Sequence, residues 1–199
     1  MVRRKVEVRR EEILEAAVVE VGRTGFARLR VTDVAAALGC SSALVFYHFE
    51  TKDRLLAEAF EHAVEGDLAR LDQAVTRGRD ATDKVRRILR LYAPQGAAPG
   101  WTLQVDAWAE ALRTPELRTT ARKLDQRWKA ALAEVIAGGV AEGSFTCADP
   151  ADAAWRLTAL LDGMSVHATV YGSLSRKRLA EWARAAAASE LGVAADDLS

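Results

Sequence analysis

The stretch Val31–Phe49, VTDVAAALGCSSALVFYHF, decides the fold that we expect. Its apolar residues recur at helical spacing in two short runs, about 31–38 and about 42–48, which Gly39-Cys40-Ser41 separates. Glycine at the centre of this break tolerates the positive φ that a tight turn needs. Two short helices joined in this way form a helix-turn-helix, whose second helix can enter the major groove of DNA.

The two predicted helices have an apolar side, which would pack them together, and a second side that faces solvent. The packing residues would be Val34, Ala35, Leu38, Leu44 and Val45. The exposed residues would be Ser41, Ser42, Phe46, Tyr47 and His48. Hydroxyls and a ring N–H can donate to phosphate oxygens, and an exposed aromatic ring can touch a thymine methyl. The alternative is an ordinary helical hairpin with Phe46, Tyr47 and Phe49 in its core; we expect Phe49 to be core in either case.

This motif resembles the DNA-binding motif of the TetR family of bacterial transcriptional repressors. The resemblance covers roughly residues 9–60 and rests, in order and spacing, on Gly25-Phe26, 31–38, Gly39-Cys40-Ser41, Phe46-Tyr47-His48-Phe49 and Lys52. It implies an all-α protein. Residues 1–50 would form a three-helix helix-turn-helix DNA-binding domain, and residues 51–199 a helical ligand-binding and dimerisation domain.

The resemblance also implies roles for individual residues. Tyr47, His48 and Lys52 would contact phosphates, whereas Ser42, Ala43 and Phe46 would face base edges. Family members usually carry Ser or Thr just before the first short helix, where this chain has Leu29-Arg30. The hydroxyl cap is lost, and Arg30 would supply a phosphate contact instead. The expected DNA-binding residues are Arg30, Thr32, Ser41, Ser42, Ala43, Phe46, Tyr47, His48, Lys52, Arg3, Arg4 and Lys5.

Charge is balanced over the whole chain but not along it. The 28 Lys and Arg residues offset 28 Asp and Glu residues among 199 residues, which argues against a histone-like or ribosomal protein. The first ten residues are nevertheless basic, with Arg3, Arg4, Lys5, Arg9 and Arg10 against Glu7. A basic arm ahead of a helix-turn-helix can reach a neighbouring groove or the backbone. A solvated tail is the alternative.

The rest of the chain is also predicted to be helical. Thr51 is a good N-cap for the helix after the motif, and Asp149-Pro150 is typical of a helix start. Between them we expect a helix whose apolar face carries Trp101, Val105, Trp108, Ala109 and Leu112. The helix over about 151–171 is apolar almost all round, which predicts burial on more than one side.

The C-terminal half resembles the choline-responsive, BetI-type branch of the family. The segments that carry this resemblance are Trp108-Ala109-Glu110-Ala111, Pro115-Glu116-Leu117-Arg118 and Leu161-Asp162-Gly163-Met164. It implies that the helices over about 151–171 and 176–190 form a four-helix bundle with a second copy. The expected dimer-interface residues are Trp155, Asp162, Met164, His167, Leu179 and Trp182. A charge buried there needs a partner, and we expect a hydrogen bond across the dimer.

All five tryptophans lie after residue 100. Aromatic rings with a carboxylate would suit a cationic or flat amphipathic ligand, through cation–π attraction. The residues expected to line such a cavity are Tyr92, Trp101, Val105, Asp106, Trp108, Trp128 and Tyr171. The alternative is that the tryptophans are core or dimer contacts.

Several other classes of protein are not supported. The histidines His48, His62 and His167 lack metal-ligand spacing, and Gly163-Met164-Ser165 lacks the second glycine and the preceding strand of a nucleophile elbow. We expect no catalysis, metal or cofactor. No apolar run reaches about 18 residues, so no membrane-spanning helix is expected. Two cysteines are too few for a disulfide framework, and a cytoplasmic protein is expected.

Taken together, these patterns predict a homodimeric repressor that reads double-stranded DNA at a palindromic operator. A small-molecule effector, apolar and aromatic or cationic, would release it. Two alternatives remain: a helical small-molecule-binding or partner-binding module without DNA readout, and a transcriptional activator of the same fold.

Overall fold

All regular secondary structure that the structure describes is helical. The structure is a computed structural model, and it describes the backbone of residues 2–92 and 99–199 and the side chains of residues 9–91 and 101–199. The helices are α1 (Val2–Thr24), α2 (Val31–Ala37), α3 (Ser42–Phe49), α4 (Lys52–Arg77), α5 (Ala81–Tyr92), α6 (Pro99–Ala111), α7 (Pro115–Ala141), α8 (Pro150–Thr169) and α9 (Arg176–Leu191), followed by a 3₁₀ helix over Ala195–Leu198. No strand occurs in these ranges. The all-α prediction is confirmed.

Two predicted helix starts are confirmed by their capping hydrogen bonds. Thr51 Oγ1 accepts a hydrogen bond from the backbone N–H of Arg54 at 3.1 Å. Asp149 Oδ1 accepts from the backbone N–H groups of Ala151 and Asp152, both at 3.0 Å. A side-chain oxygen at the N-cap satisfies N–H groups that have no partner within the helix, so these residues set where α4 and α8 begin.

The first of two compact units comprises residues 1–66 and 99–124. It holds α1, α2, α3 and α6. Fully buried side chains form its core: Ile13, Phe26, Leu29, Phe49, Leu55, Leu56, Phe60 and Leu117. Phe26 and Phe60 meet edge to face, with ring centroids 5.9 Å apart, a geometry that aromatic pairs prefer. The burial of Phe49 confirms the prediction that it is a core residue, and the expected division at residue 50 stays a prediction.

The second unit comprises residues 67–98 and 125–199. Its core is aliphatic, with Leu71, Ile88, Leu132, Ile136, Leu161 and Leu191 fully buried. Helices α8 and α9 pack against each other, and α5 packs against α9. Gly139 is required in α7, because a Cβ there would lie 2.2 Å from the ring of Phe145.

The end of α6 differs from the prediction. The helix ends at Ala111, so Leu112 leaves the expected apolar face and is exposed. Pro115 explains the early end, because proline disfavours the helical conformation for the residue before it. The turn is closed by Arg118, whose Nη2 donates to the carbonyl of Leu112 at 2.9 Å.

In the residues that the structure describes, no single helix is long and apolar enough to cross a membrane. Helices α2 and α3 meet the criteria of length and composition together, as a pair bent by 111°.

Candidate DNA-binding surface

Helices α2 and α3 form a helix-turn-helix. Their axes differ by 111°, within the range of about 90–120° that defines this motif. Gly39 adopts φ +60° in the turn, and the backbone N–H of Cys40 donates to the carbonyl of Ala35 at 2.9 Å. The expected packing is confirmed for Val34, Ala35 and Val45, which are buried, whereas Leu38 and Leu44 are half-buried.

The outer side of α3 is aromatic and polar. Phe46 is 43% exposed and Tyr47 is 75% exposed, so neither belongs to the core. The alternative of an ordinary helical hairpin placed both residues in the core. Ala43 is exposed and Ser42 is half-buried. Ser41 caps the helix, because its Oγ accepts from the backbone N–H of Leu44 at 3.3 Å. Together these residues form a short surface of apolar groups and hydroxyls, and such groups can contact base edges in the major groove.

His48 lies at the end of this surface, beside two arginines. Burial lowers the pKa of its imidazole below the ordinary value, and the charges of Arg10 and Arg9 lower it further. The ring meets Tyr47 edge-on, with centroids 5.4 Å apart. A neutral imidazole keeps one N–H, so His48 can donate one hydrogen bond to a phosphate at neutral pH.

Helix α2 starts at Arg30 without a side-chain cap. The backbone of Arg30 is extended, and its side chain makes no capping hydrogen bond. This matches the lost hydroxyl in the sequence and leaves the guanidinium exposed. Thr32, in the first turn, is also exposed, and its Oγ1 lies 3.5 Å from Asp33 Oδ1.

An open cleft of about 700 Å³ lies beside the start of α2. It brings together Arg30 and Lys52, which are 22 positions apart in sequence. Its lining residues are Arg23, Thr24, Ala27, Arg28, Leu29, Arg30, Asp33 and Lys52. We call this cleft, defined by these eight residues, the basic cleft.

Asp106 was expected to meet a ligand, and the structure gives its carboxylate a partner in the turn between α1 and α2. Oδ2 accepts a hydrogen bond from the backbone N–H of Phe26 at 2.7 Å. Gly25, the residue before Phe26, has φ +83°, and a Cβ on it would lie 3.2 Å from Oδ2 of Asp106. Phe26 and Asp106 are 80 positions apart, and no local pattern in the sequence could have found this contact.

The remaining candidate ligand residues fall into different parts of the chain. Trp101 and Trp108 meet on α6, edge to face with ring centroids 5.9 Å apart, and Val105 between them is half-buried. Trp128, half-buried on α7, and Tyr171, exposed after α8, belong to the second unit. The side chains of Tyr92, Arg3, Arg4 and Lys5 lie outside the described residues.

Helices α8 and α9 and the two residues after α8 expose large apolar side chains, a set that we call the aromatic face: Trp155, Leu160, Val170, Tyr171 and Trp182. Trp155 is 58% exposed and Trp182 is 52% exposed. Cations lie over both indoles, with Lys129 Nζ 4.8 Å from the Trp155 ring centroid and the Arg178 guanidinium 5.8 Å from that of Trp182.

Two of the expected interface residues belong to the core instead. Met164 and Leu179 are buried within the second unit, so they have almost no surface left for a partner. Helical spacing places a residue on a face but cannot tell which neighbour covers that face. His167 is exposed, and its Nδ1 lies 3.2 Å from Ser173 Oγ in the same chain.

Among the described carboxyl groups of the second unit, that of Asp162 on α8 has the most strongly shifted pKa. Burial raises its pKa to about 7, and the nearby carboxylate of Asp125 raises it further, against the opposing charge of Lys129. Lys129 is itself held by Asp125, with Nζ 2.7 Å from Oδ2. Asp162 is therefore close to half-protonated at neutral pH.

Family models match both halves of the chain. The model of bacterial regulatory proteins of the tetR family matches residues 13–59. The model of the BetI-type transcriptional repressor C-terminal domain matches residues 81–192. The fold and the site thus define a helix-turn-helix DNA-binding regulator. The chain belongs to the TetR family of transcription regulators, in its BetI-type branch.

The chain is also similar to individual proteins. It is 27% identical over 177 residues to the HTH-type transcriptional regulator BetI of Paraburkholderia xenovorans, covering 83% of this chain and 84% of that protein. It is 28% identical over 159 residues to the nucleoid occlusion factor SlmA of an Enterobacter species, covering 78% and 80%. A transcriptional regulator from Saccharomonospora viridis, solved in complex with choline, superposes with a TM-score of 0.78 at 27% identity, covering 90% and 95%.

Proposed function

We propose that the chain is a homodimeric repressor that binds a palindromic operator and leaves it when a small-molecule effector binds. The observation that carries this proposal is α3, whose exposed Phe46 and Tyr47 stand on a helix-turn-helix bent by 111°. Each protomer would place α3 in a major groove. The two-fold axis would set the two recognition helices about 34–36 Å apart, one turn of DNA.

Individual roles follow from exposure and chemistry. Ser42, Ala43 and Phe46 face base edges, because they form the small and apolar part of the outer side of α3. The phosphate contacts come from residues that can donate hydrogen bonds or carry positive charge: Arg30, Thr32, Ser41, Tyr47, His48 and Lys52, with Arg3, Arg4 and Lys5 as the arm.

The dimer forms through the aromatic face of α8 and α9. Large indole rings that are more than half exposed are costly in water, and a second copy would cover them. Two helices from each protomer then make a four-helix bundle about the two-fold axis. Trp155 and Trp182 supply the apolar contact, and Asp162 and His167 the polar groups of the interface.

The effector is a cation with aromatic or apolar contacts. Its first contact is the edge-to-face pair Trp101 and Trp108, since indole faces attract quaternary ammonium groups. Choline is the first probe to test, because a similar regulator was solved in complex with it. The effector would act by population shift: it weakens DNA binding only if it binds the DNA-free conformation more tightly.

The DNA-binding part is tested by selecting duplexes from a random pool with the purified protein. We expect an enriched palindrome whose half-sites are about one helical turn apart. The double variant F46A/Y47A should enrich nothing, although its helical content is unchanged. A pool without enrichment under any solution condition would support the binding module without DNA readout.

The effector part is tested with choline chloride on the selected duplex. We expect choline to bind the free protein, to quench tryptophan fluorescence and to release the duplex, and we expect W108A to lose all three responses. Choline binding without release would contradict its role as an effector.

A second DNA-binding role is favoured by the likeness to a nucleoid occlusion factor. Mapping the bound sites on the chromosome separates the candidates. Sites that overlap promoters support repression, sites upstream of promoters support activation, and sites placed without regard to promoters support a role outside transcription.

A further inference from the structure

The basic cleft contains two arginines, Arg23 and Arg28, to which no DNA contact is assigned above. Four cations line it, from Arg23, Arg28, Arg30 and Lys52, against the single carboxylate of Asp33. Of these four residues, only Arg30 and Lys52 have a DNA contact assigned to them above. Arg28 and Arg23 come from the turn between α1 and α2 and from the last turn of α1.

Most of this charge is not neutralised by the protein. Within the described residues, Arg28, Arg30 and Lys52 form no ion pair. Arg23 is the exception, since its Nε and Nη2 both donate to Glu20 Oε2, at 3.1 and 2.8 Å. Uncompensated cations on one surface repel each other, so a ligand that brings negative charge is favoured there.

The turn that carries Arg28 is held in place. Phe26 and Leu29 on either side of it are buried, and the N–H of Phe26 is bound by the Asp106 carboxylate at 2.7 Å. The side chain of Arg28 therefore extends from an anchored backbone. A preorganised cation loses less conformational freedom when it binds an anion than one on a mobile loop does.

We propose that the basic cleft binds a phosphate of the DNA backbone next to the base pairs that α3 reads, with Arg28 as its principal new contact. The inference rests on the proposed DNA-binding function and extends its footprint. The cleft is open rather than enclosing, which suits a continuous phosphodiester strand better than a free anion. It is also continuous with the first residue of α4, Lys52, which follows α3 by only two residues.

The experiment measures the affinity of R28A for a random-sequence duplex and for the selected duplex as a function of salt concentration. Each lost phosphate contact removes about one unit from the slope of log affinity against log salt. We expect the slope to shrink by about two units for a dimer, and the affinity near 0.1 M salt to fall about tenfold or more. The loss should be equal on both duplexes. R28E, which adds a repulsive charge, should lose more.

The matched control is R122A, which removes an exposed arginine of the same compact unit that does not line the cleft. Its slope should equal that of the wild type. If R28A and R28E both behave like R122A, the inference fails while the proposed function stands. If the wild type enriches no sequence but R28A still weakens binding to random duplexes, the proposed function fails while the cleft stands. Inorganic phosphate that saturates the wild type but not R28A, without any change in duplex affinity, would overturn the DNA assignment in favour of a free-anion site.

Discussion

The outer side of α3 and the aromatic face of α8 and α9 both expose large rings, but their surroundings differ. Phe46 and Tyr47 follow Ser41 and Ser42 on α3, and Lys52, which lines the basic cleft, comes shortly after the end of that helix. Trp155 and Trp182 lie in α8 and α9, and each has a single cation over its ring. Exposed rings on a helix that also carries hydrogen-bond donors, and that leads into a cleft with four cations, suit nucleic acid, whereas two exposed indoles with one cation each suit another protein surface.

Exposure alone therefore does not assign a partner to a ring. The number of cations and hydrogen-bond donors on the same surface distinguishes the two cases, because DNA brings phosphates and a second copy brings its own indoles. Charges placed on the aromatic face should impair DNA binding more than any other substitution described below. W155E/W182E would have to bury two charges from each protomer in the dimer, so we expect monomers. Operator affinity should fall by about 10²–10⁴-fold, because the second half-site loses its effective concentration.

Sedimentation and operator titration measure this effect side by side. The control is L112E, which also places a glutamate on an exposed apolar position, in the turn after α6 in the first compact unit. It should stay dimeric and bind the operator normally. A double variant that remains dimeric would show that the aromatic face is not the interface.

A smaller effect is expected from the carboxyl group of Asp162 in the second unit. Folded Asp162 is protonated up to about pH 7, whereas its ordinary pKa is 3.8. The folded state therefore binds more protons between these values, and stability falls as pH rises from about 4 to about 7. Because the cost is complete above this window, D162N should be more stable than the wild type by about 4 kcal/mol near pH 8, and by less than half as much near pH 5. Urea unfolding of D162N, with D152N of the same helix as control, measures the difference. Parallel pH profiles for wild type and D162N would contradict the prediction.

A smaller effect concerns the anchor of the turn in the first unit. D106A leaves the N–H of Phe26 without its acceptor, at a cost of about 1.5 kcal/mol of unfolding free energy. D106N keeps an oxygen in place and should lose less than half as much. Faster exchange of the Phe26 amide in D106A locates the loss. Equal stability of all three proteins would show that the hydrogen bond contributes nothing.

The smallest effect is expected from the loss of Lys52, the first residue of α4. K52A should weaken binding to all duplexes by about tenfold, near 1.4 kcal/mol, and reduce the salt slope by about one unit per protomer. The exposed Arg90 of α5 gives the control R90A. A loss confined to certain base pairs would mean that Lys52 reads bases rather than phosphates.

The sequence predicted the helices well because their signals are local. Caps at Thr51 and Asp149 and the turn glycine Gly39 each act within a few residues, and α2 and α9 ended within one residue of the predicted position. The same holds for the helix-turn-helix, whose two helices and turn fall within one stretch of 19 residues.

The parts that the sequence could not supply depend on distant neighbours. Met164 and Leu179 lie on apolar helix faces, and only the packed unit shows that its own core covers them. Asp106 was expected to meet a ligand because a carboxylate stood among tryptophans. Its contact with Phe26 joins segments 80 positions apart, which no spacing rule reaches.

The close approach of Gly25 and Asp106 has a consequence for relatives of this chain. A side chain at position 25 would be strained by the positive φ and would press on the carboxylate, so the two positions are not free to vary separately. Relatives that keep an acidic residue at the position of Asp106 should keep glycine at the position of Gly25. Those that have lost the glycine should also have lost the acid, a pairing that an alignment of the branch would reveal as correlated substitution.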